Sequence, residues 1–285
     1  MTMKEQLKAV TDGVEILLKS IYKTARTLSR GERIKFSETP GQEVIILGNG
    51  PSLNEIDLQE VARHGMEIAC VNYFPTKNEE FWRVKPKYLV LFDPGFYLKG
   101  ESMPPEVKKL MVLLEKVDWE LRIVGIQGET LPIKNENIIY EPVNTSELYS
   151  DRLSKYLDAL YKRNILNVGQ QNVVIGAGYY FVCKRVKHLY YAGIDMSEFK
   201  YLFVDENNEI YTDAVHNYGT TRHRCTVVNK GEFYKLLRMY QRMFEQFYYL
   251  ARFAERQNVP VTNLSINSYV DVFEKKPLFR KRIES

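Results

Sequence analysis

The run Glu43 to Ser52, EVIILGNGPS, limits the fold more than any other stretch. Val44 to Leu47 are four aliphatic residues with no polar alternation. A run of that kind suits a strand covered on both faces, as in a parallel sheet. It ends in Gly48-Asn49-Gly50, where two missing side chains let another group approach the backbone closely. Pro51 has no N–H to leave unsatisfied and carries a helical φ, so it suits the start of a helix. Strand, glycine turn and helix in that order form the unit from which α/β sheets are wound.

The same alternation continues along the chain. Further strands are expected in EIACVNYF, PKYLVLFD, WELRIVGIQ, ENIIYEPV, KHLYYAGIDMS and VPVTNLS. Helices are expected in SLNEIDLQEVARHG, PPEVKKLMVLLEKV, SELYSDRLSKYLDALYKR, VVIGAGYYFVCKRV and KGEFYKLLRMYQRMFEQFYYLARFAERQ. The expected fold is α/β: a Rossmann-like, mostly parallel sheet with helices on both faces and a lid segment. Residues 1–42 read as a basic, amphipathic helical extension, with the helix over 3–30. Residues 43–275 read as one α/β domain, and 276–285 as a basic tail. The helix 3–30 could pack on the domain, on another subunit or on a membrane surface.

The chain has 285 residues, enough for a sizeable core, and a net charge of +4, too mild for a dedicated nucleic-acid binder. Cys70, Cys183 and Cys225 are odd in number and far apart, so neither a disulfide framework nor a zinc knuckle is expected. A reducing, cytoplasmic setting fits that pattern, with contact to the inner face of the membrane through the basic ends. No apolar stretch reaches transmembrane length, and no signal-peptide pattern is read at the N-terminus.

Ligands of open parallel sheets sit beyond the carboxyl ends of the strands. Gly48, Asn49, Gly50 and Ser52 hold that position after the first strand, Asn72 after the second and Asp93 after the third. Backbone N–H groups of the turn could meet a phosphate, and the Asn49 amide a phosphate or ribose. The dinucleotide and P-loop spacings are both missing. No Asp-x-Asp, zinc spacing or hydrolase elbow occurs, so no metal and no cofactor are expected. Residues 197–225 are polar, rich in Tyr, Asn and Thr, and long enough for a lid. His216 and His223 lie in it and are the candidate general bases. His64 is expected to cap a helix end, and His188 to lie at the surface.

The ordered series VIILGNGPSLNEID, CVNYF, YYAGIDMS, KYLFVD, a histidine-bearing lid and NLSINSYVDVF resembles bacterial sialyltransferases of glycosyltransferase family 42, over roughly residues 43 to 275. The resemblance implies a GT-A-like variant of the fold, a nucleotide-sugar-binding catalytic domain over 43–275 with its lid at 197–225, and transfer of sialic acid, or a related nonulosonic acid, from a CMP-activated donor to a glycan hydroxyl. The reaction would invert the anomeric centre, need no metal and use a histidine base. It implies donor contacts from Asn49 and Asn72, and a role for Tyr201 at the leaving phosphate. His223 fits the place of the family's base better than His216 does. Asp93 stands where the family has an asparagine, and Ser197, near Asp195, where it has a second lid tyrosine. That tyrosine's role could pass to Tyr211 or Tyr218. Gln170 stands near the family's arginine, with Asn172 and Val173 following. The N-terminal helix has no counterpart. Lipooligosaccharide is an expected acceptor class, and a homo-oligomer is implied. The Gly-x-Gly-Pro-Ser-Leu turn also occurs in pyrophosphokinase-like enzymes. An ATP-dependent enzyme of that kind, or a non-catalytic nucleotide-binding partner in polysaccharide assembly, therefore remains an alternative.

Overall fold

The computed structural model describes residues 3–30, 36–145, 148–150, 152–166 and 172–281. The chain opens with helix α1 (Met3–Ser29) and then strand β1 (Glu43–Leu47). Helix α2 (Leu58–Arg63) leads to β2 (Glu67–Val71). Two short helices, α3 (Phe74–Lys77) and α4 (Glu80–Val84), lead to β3 (Tyr88–Leu91). Helix α5 (Pro105–Leu114) precedes β4 (Leu121–Ile126) and β5 (Ile138–Val143). Helices α6 (Ser154–Tyr161) and α7 (Val173–Cys183) follow, then β6 (His188–Ala192). A hairpin region holds β7 (Leu202–Val204), β8 (Ile210–His216) and β9 (Gly219–Arg224). The chain continues through helix α8 (Phe233–Arg256), β10 (Val261–Asn263) and β11 (Glu274–Lys275).

The main sheet has the order β11-β10-β6-β1-β2-β3-β4-β5, and all its described pairings are parallel. The chain winds outward from β1 to β5, then returns to place β6 on the other side of β1. Strand order therefore reverses between β1 and β6, where a crevice opens in a sheet of this kind.

Alternation along β1 feeds two cores. Val44 and Ile46 pack with α7 and α8, while Ile45 and Leu47 pack with α2 and α5. Every residue from Val174 to Cys183 is buried, which makes α7 a central helix rather than a surface one.

Several elements differ from their expected spans. The helix expected over 52–65 is divided. A 3-10 turn covers Pro51–Glu55, and α2 begins afresh at Asp57, whose carboxylate accepts from the Gln59 and Glu60 N–H groups. An Asp at the cap competes for the backbone, so a second start is favoured over a continuous helix. His188 is half-buried rather than at the surface, with Nε2 2.9 Å from Thr262 Oγ1 and its ring stacked on Tyr190. His64 Nδ1 lies 2.9 Å from the Glu60 carbonyl at the end of α2. The polar segment is not a structureless lid, because β7, β8 and β9 form a separate antiparallel sheet.

Helix α1 turns Ser20 and Thr27 inward, and Ser20 Oγ lies 3.1 Å from the Tyr156 hydroxyl. Its opposite side exposes Val14, Leu18, Ile21 and Tyr22. The tail is tied down, since Lys281 N–H donates to Glu55 O at 2.9 Å and Asp57 N–H to Phe279 O at 2.7 Å.

Candidate active site

At the strand-order reversal, the glycine turn meets the end of β6 backbone to backbone. Gly48 N–H donates to Ala192 O and Gly50 N–H to Gly193 O, both at 2.8 Å. A Cβ on Gly48 would lie 2.3 Å from Gly193 O, and one on Gly50 2.0 Å from Asp195 Oδ2. Both glycines are therefore required by close packing. This corrects the expectation that their N–H groups meet a phosphate, because both donors are already used by Ala192 and Gly193.

Ser52 is also committed inward. Its Oγ lies 2.8 Å from Asp195 Oδ2 and 2.7 Å from Ser265 Oγ, and its N–H donates to Asp195 Oδ2 at 3.2 Å. Ser265 Oγ accepts from the Gly193 and Ile194 N–H groups at 2.9 and 3.3 Å. Burial pushes the Asp195 carboxyl upward, against the pull of the Ser52 hydrogen bonds. This network locks β1, β6 and the segment after β10 together.

Above it lies a cavity of about 180 Å³. Its walls include Gly48, Asn49, Gly50, Asn72, Asn172, Val173, Asp195, Ser197, Glu198 and His216. The Oδ1 atoms of Asn49 and Asn72 are buried and have no hydrogen-bond partner. Such acceptors are met by an N–H or O–H donor, from ordered water or from a ligand. Asn72 has φ 51°, a left-handed conformation that asparagine tolerates better than most residues.

The first turn of α7 forms another part of the wall. Asn172 is its N-cap and accepts from Val174 N–H at 3.1 Å. The positive end of an 11-residue helix thus faces the cavity, the place on this wall best suited to an anion.

His216 covers the cavity from the hairpin. The tip is held to the glycine turn: Asn217 N–H donates to Asn49 O, and Asn54 Nδ2 to Asn217 O, both at 2.9 Å. The Tyr218 ring stacks on the imidazole with centroids 4.8 Å apart and planes at 18°. Burial lowers the His216 pKa, opposed by the Glu198 carboxylate and by a hydrogen bond with Asn49, and aided by His223. Desolvation is the larger influence, so the ring is held neutral and able to accept a proton.

A second cavity of about 480 Å³ adjoins the first. It shares Asn72, Asn172, Val173 and Glu198, and adds Phe92, Asp93 and Pro94. Asp93 lines only this neighbouring space, and its Oδ1 accepts from Gly95 N–H at 2.8 Å. His223 does not line either cavity. It pairs with Thr212 on β9, and every residue of that strand is exposed. Tyr201 ends a 3-10 turn and is 38% exposed, away from both linings. Tyr211 stacks on Phe203, with centroids 5.6 Å apart. Gln170 lies outside the described residues.

Glu198 and Val215 are cavity residues that the sequence reading missed. The segment IYTDAVH has no regular alternation, so no sequence signal marked Val215. Glu198 offered no cue either. Among the described residues, no group of three or more His, Cys, Asp or Glu could hold a metal ion. Also among them, no helix is long and apolar enough to cross a membrane.

No family model matches the chain, and no curated protein sequence does. Several solved structures are similar to it. A MAf glycosyltransferase from Magnetospirillum magneticum AMB-1 has 14% identity and a TM-score of 0.49, over 88% of this chain and 36% of that one. This chain thus spans little more than a third of that protein. The sialyltransferase CstII from Campylobacter jejuni, in complex with cytidine-5'-monophosphate, has 14% identity and a TM-score of 0.44, over 86% and 89% of the two chains. The monofunctional α-2,3-sialyltransferase Cst-I from the same organism has 14% identity and a TM-score of 0.46, over 87% and 85%.

Proposed function

We propose that the chain is a glycosyltransferase that moves sialic acid, or a related nonulosonic acid, from a CMP-activated donor to a glycan hydroxyl. The observation that carries this reading is the half-buried imidazole of His216, seated over a cavity at the strand-order reversal. The unpartnered Asn49 and Asn72 oxygens suit ribose hydroxyls or a cytosine amine. The first turn of α7 suits the donor phosphate. The ordered motif series from VIILGNGPSL to NLSINSYVDVF supports the same substrate class.

In this reading His216 takes the proton of the acceptor hydroxyl as its oxygen attacks the anomeric carbon. The bond from that carbon to the CMP oxygen breaks, and its electrons leave with the phosphate. Negative charge then grows at the α7 N-terminus, where the helix dipole stabilises it. Attack opposite the departing CMP inverts the anomeric centre. Tyr218 holds the imidazole plane by stacking. Ser52 acts at a distance, by fixing Asp195 and the turn.

The test is incubation with CMP-sialic acid and a lactose-type acceptor in the presence of EDTA. Sialylated product and free CMP are expected, and neither would appear if the reading is wrong. We further infer that the exposed apolar face of α1, flanked by Lys19 and Arg26, rests on an anionic membrane surface. Flotation with phosphatidylglycerol vesicles should be lost in Leu18→Asp. Equal recovery of the two proteins would refute that contact.

A further inference from the structure

A carboxylate stands beside the proposed base. His216 is carried by β8, and the 3-10 turn Glu198–Tyr201 packs against that strand. His216 and Glu198 both line the cavity of about 180 Å³, and Glu198 also lines the adjoining one. Glu198 thus sits at the boundary between the two spaces.

The turn that carries it is anchored. Tyr269 N–H donates to Asp195 O at 2.9 Å, just before the turn. Phe199 packs against Tyr269, Tyr240 and Phe244, with ring centroids 4.9, 6.2 and 6.2 Å away. Lys200 Nζ lies 5.1 Å from the centroid of the Tyr269 ring. Phe199 and Lys200 are therefore tied to α8 and to the segment after β10, and they fix the position of Glu198 next to them.

Several groups act on the imidazole. Burial is the largest influence and disfavours its protonation. The Glu198 carboxylate favours the protonated ring, His223 on β9 opposes it, and the hydrogen bond with the Asn49 backbone favours it. Asp195 lines the same cavity, with its Oδ2 accepting from Ser52. Lys77 Nζ on α3 lies 5.8 Å from the centroid of the Tyr218 ring, which stacks on His216. Burial raises the Tyr218 and Tyr240 hydroxyls, and the Glu198 charge adds to it at both. The carboxylate therefore lies within electrostatic reach of all three rings.

A desolvated base meets a difficulty when it works. Having taken a proton, it is a cation in a site that disfavours charge. A third group that steadies the base is the usual remedy in nucleophile–base constellations. Glu198 is exposed, so water screens its pull until a bound sugar displaces that water.

We propose that Glu198 is the positioning residue of this site: from the anchored turn, its carboxylate steadies the imidazolium that forms when His216 takes the proton of the acceptor hydroxyl. The proton stays on His216, and Glu198 remains ionised throughout. This role rests on the reading of His216 as the base.

The experiment compares the full chain with Glu198→Gln, which removes the charge, and Glu198→Asp, which keeps it one methylene shorter. His216 is titrated by NMR without substrate, its ring signal assigned with His216→Ala. Transfer from CMP-sialic acid to a lactose-type acceptor is followed across the pH range. Glu198→Gln should lower the protonation constant of His216 about twofold or more and move the acid limb of kcat/KM to lower pH. It should cut the plateau kcat roughly three- to tenfold and leave KM unchanged. Glu198→Asp should recover most of both losses. An unchanged His216 titration in Glu198→Gln would overturn the proposal. So would a raised KM at unchanged kcat, which would make Glu198 a sugar contact. Equal losses in the two variants would assign shape rather than charge, and would overturn it too. Absence of transfer by the wild type would instead overturn the proposed function, and the NMR titration would still decide whether the carboxylate and imidazole are paired.

Discussion

The two walls of the candidate active site are built differently. At the β1–β6 junction, backbones touch, Val44 to Leu47 are buried and both the N–H and the hydroxyl of Ser52 have partners. Across the cavity, β9 is exposed along its whole length, and the tip is held by two hydrogen bonds from Asn217 and Asn54. Stability is drawn from buried contact, so the first wall should open only with the whole domain and the second far more readily. The proposed donor elements, Asn49, Asn72 and the start of α7, belong to the fixed wall. The proposed base, His216, belongs to the hairpin, which in that reading admits substrate and then excludes water.

That contrast can be broken by substitution. The largest expected effect is at His216. His216→Ala should lower kcat by roughly 10²–10⁴-fold, as loss of a general base does, with CMP affinity unchanged. A fall in CMP affinity instead would move His216 to the fixed, donor-binding side. Next comes Gly48→Ala, whose Cβ would meet a backbone carbonyl at 2.3 Å. Overpacking of that kind should cost about 3 kcal/mol in urea unfolding, and no loss would mean that the junction is looser than described.

A smaller effect concerns pH. Burial holds the His216 pKa below its ordinary 6.5, so the acid limb of the kcat/KM profile should fall below that value. The unfolded chain takes up this proton first as pH drops. This histidine should therefore reduce stability as pH falls from 6.5 toward the folded-state pKa. An acid limb above 6.5 would contradict a desolvated imidazole. The smallest effect is at His223→Ala, an exposed strand position, where stability should change by no more than about 0.5 kcal/mol and kcat by less than about threefold.

Much of the fixed wall was legible in the sequence, and less of the hairpin. Runs such as VIIL and YLVL read as strands because parallel strands bury both faces, and local composition carries that information. GNGPS was legible as a turn at the site, but the reason for its glycines was not. Gly193 lies far along the chain from Gly48, and only the return of β6 to the side of β1 brings the two together. The Gly48 and Gly50 N–H groups, expected to face a phosphate, are taken by Ala192 and Gly193 for the same non-local reason. In the hairpin, GTTRHR has no apolar alternation, because both faces of β9 are wet. The segment therefore read as patternless. His223 matched the place of the base by its position in the chain, while the register of β8 and the stacking of Tyr218 set His216 over the cavity.

The most direct measurement is calorimetric titration of CMP into the wild-type chain and Asn72→Asp, with EDTA present. Asp keeps the shape and tolerates the left-handed backbone at this position, but sets a negative charge against the nucleotide. The account requires one CMP per chain, bound without metal, and at least tenfold weaker binding in the variant. Absent binding, or equal affinity in the two proteins, would contradict it.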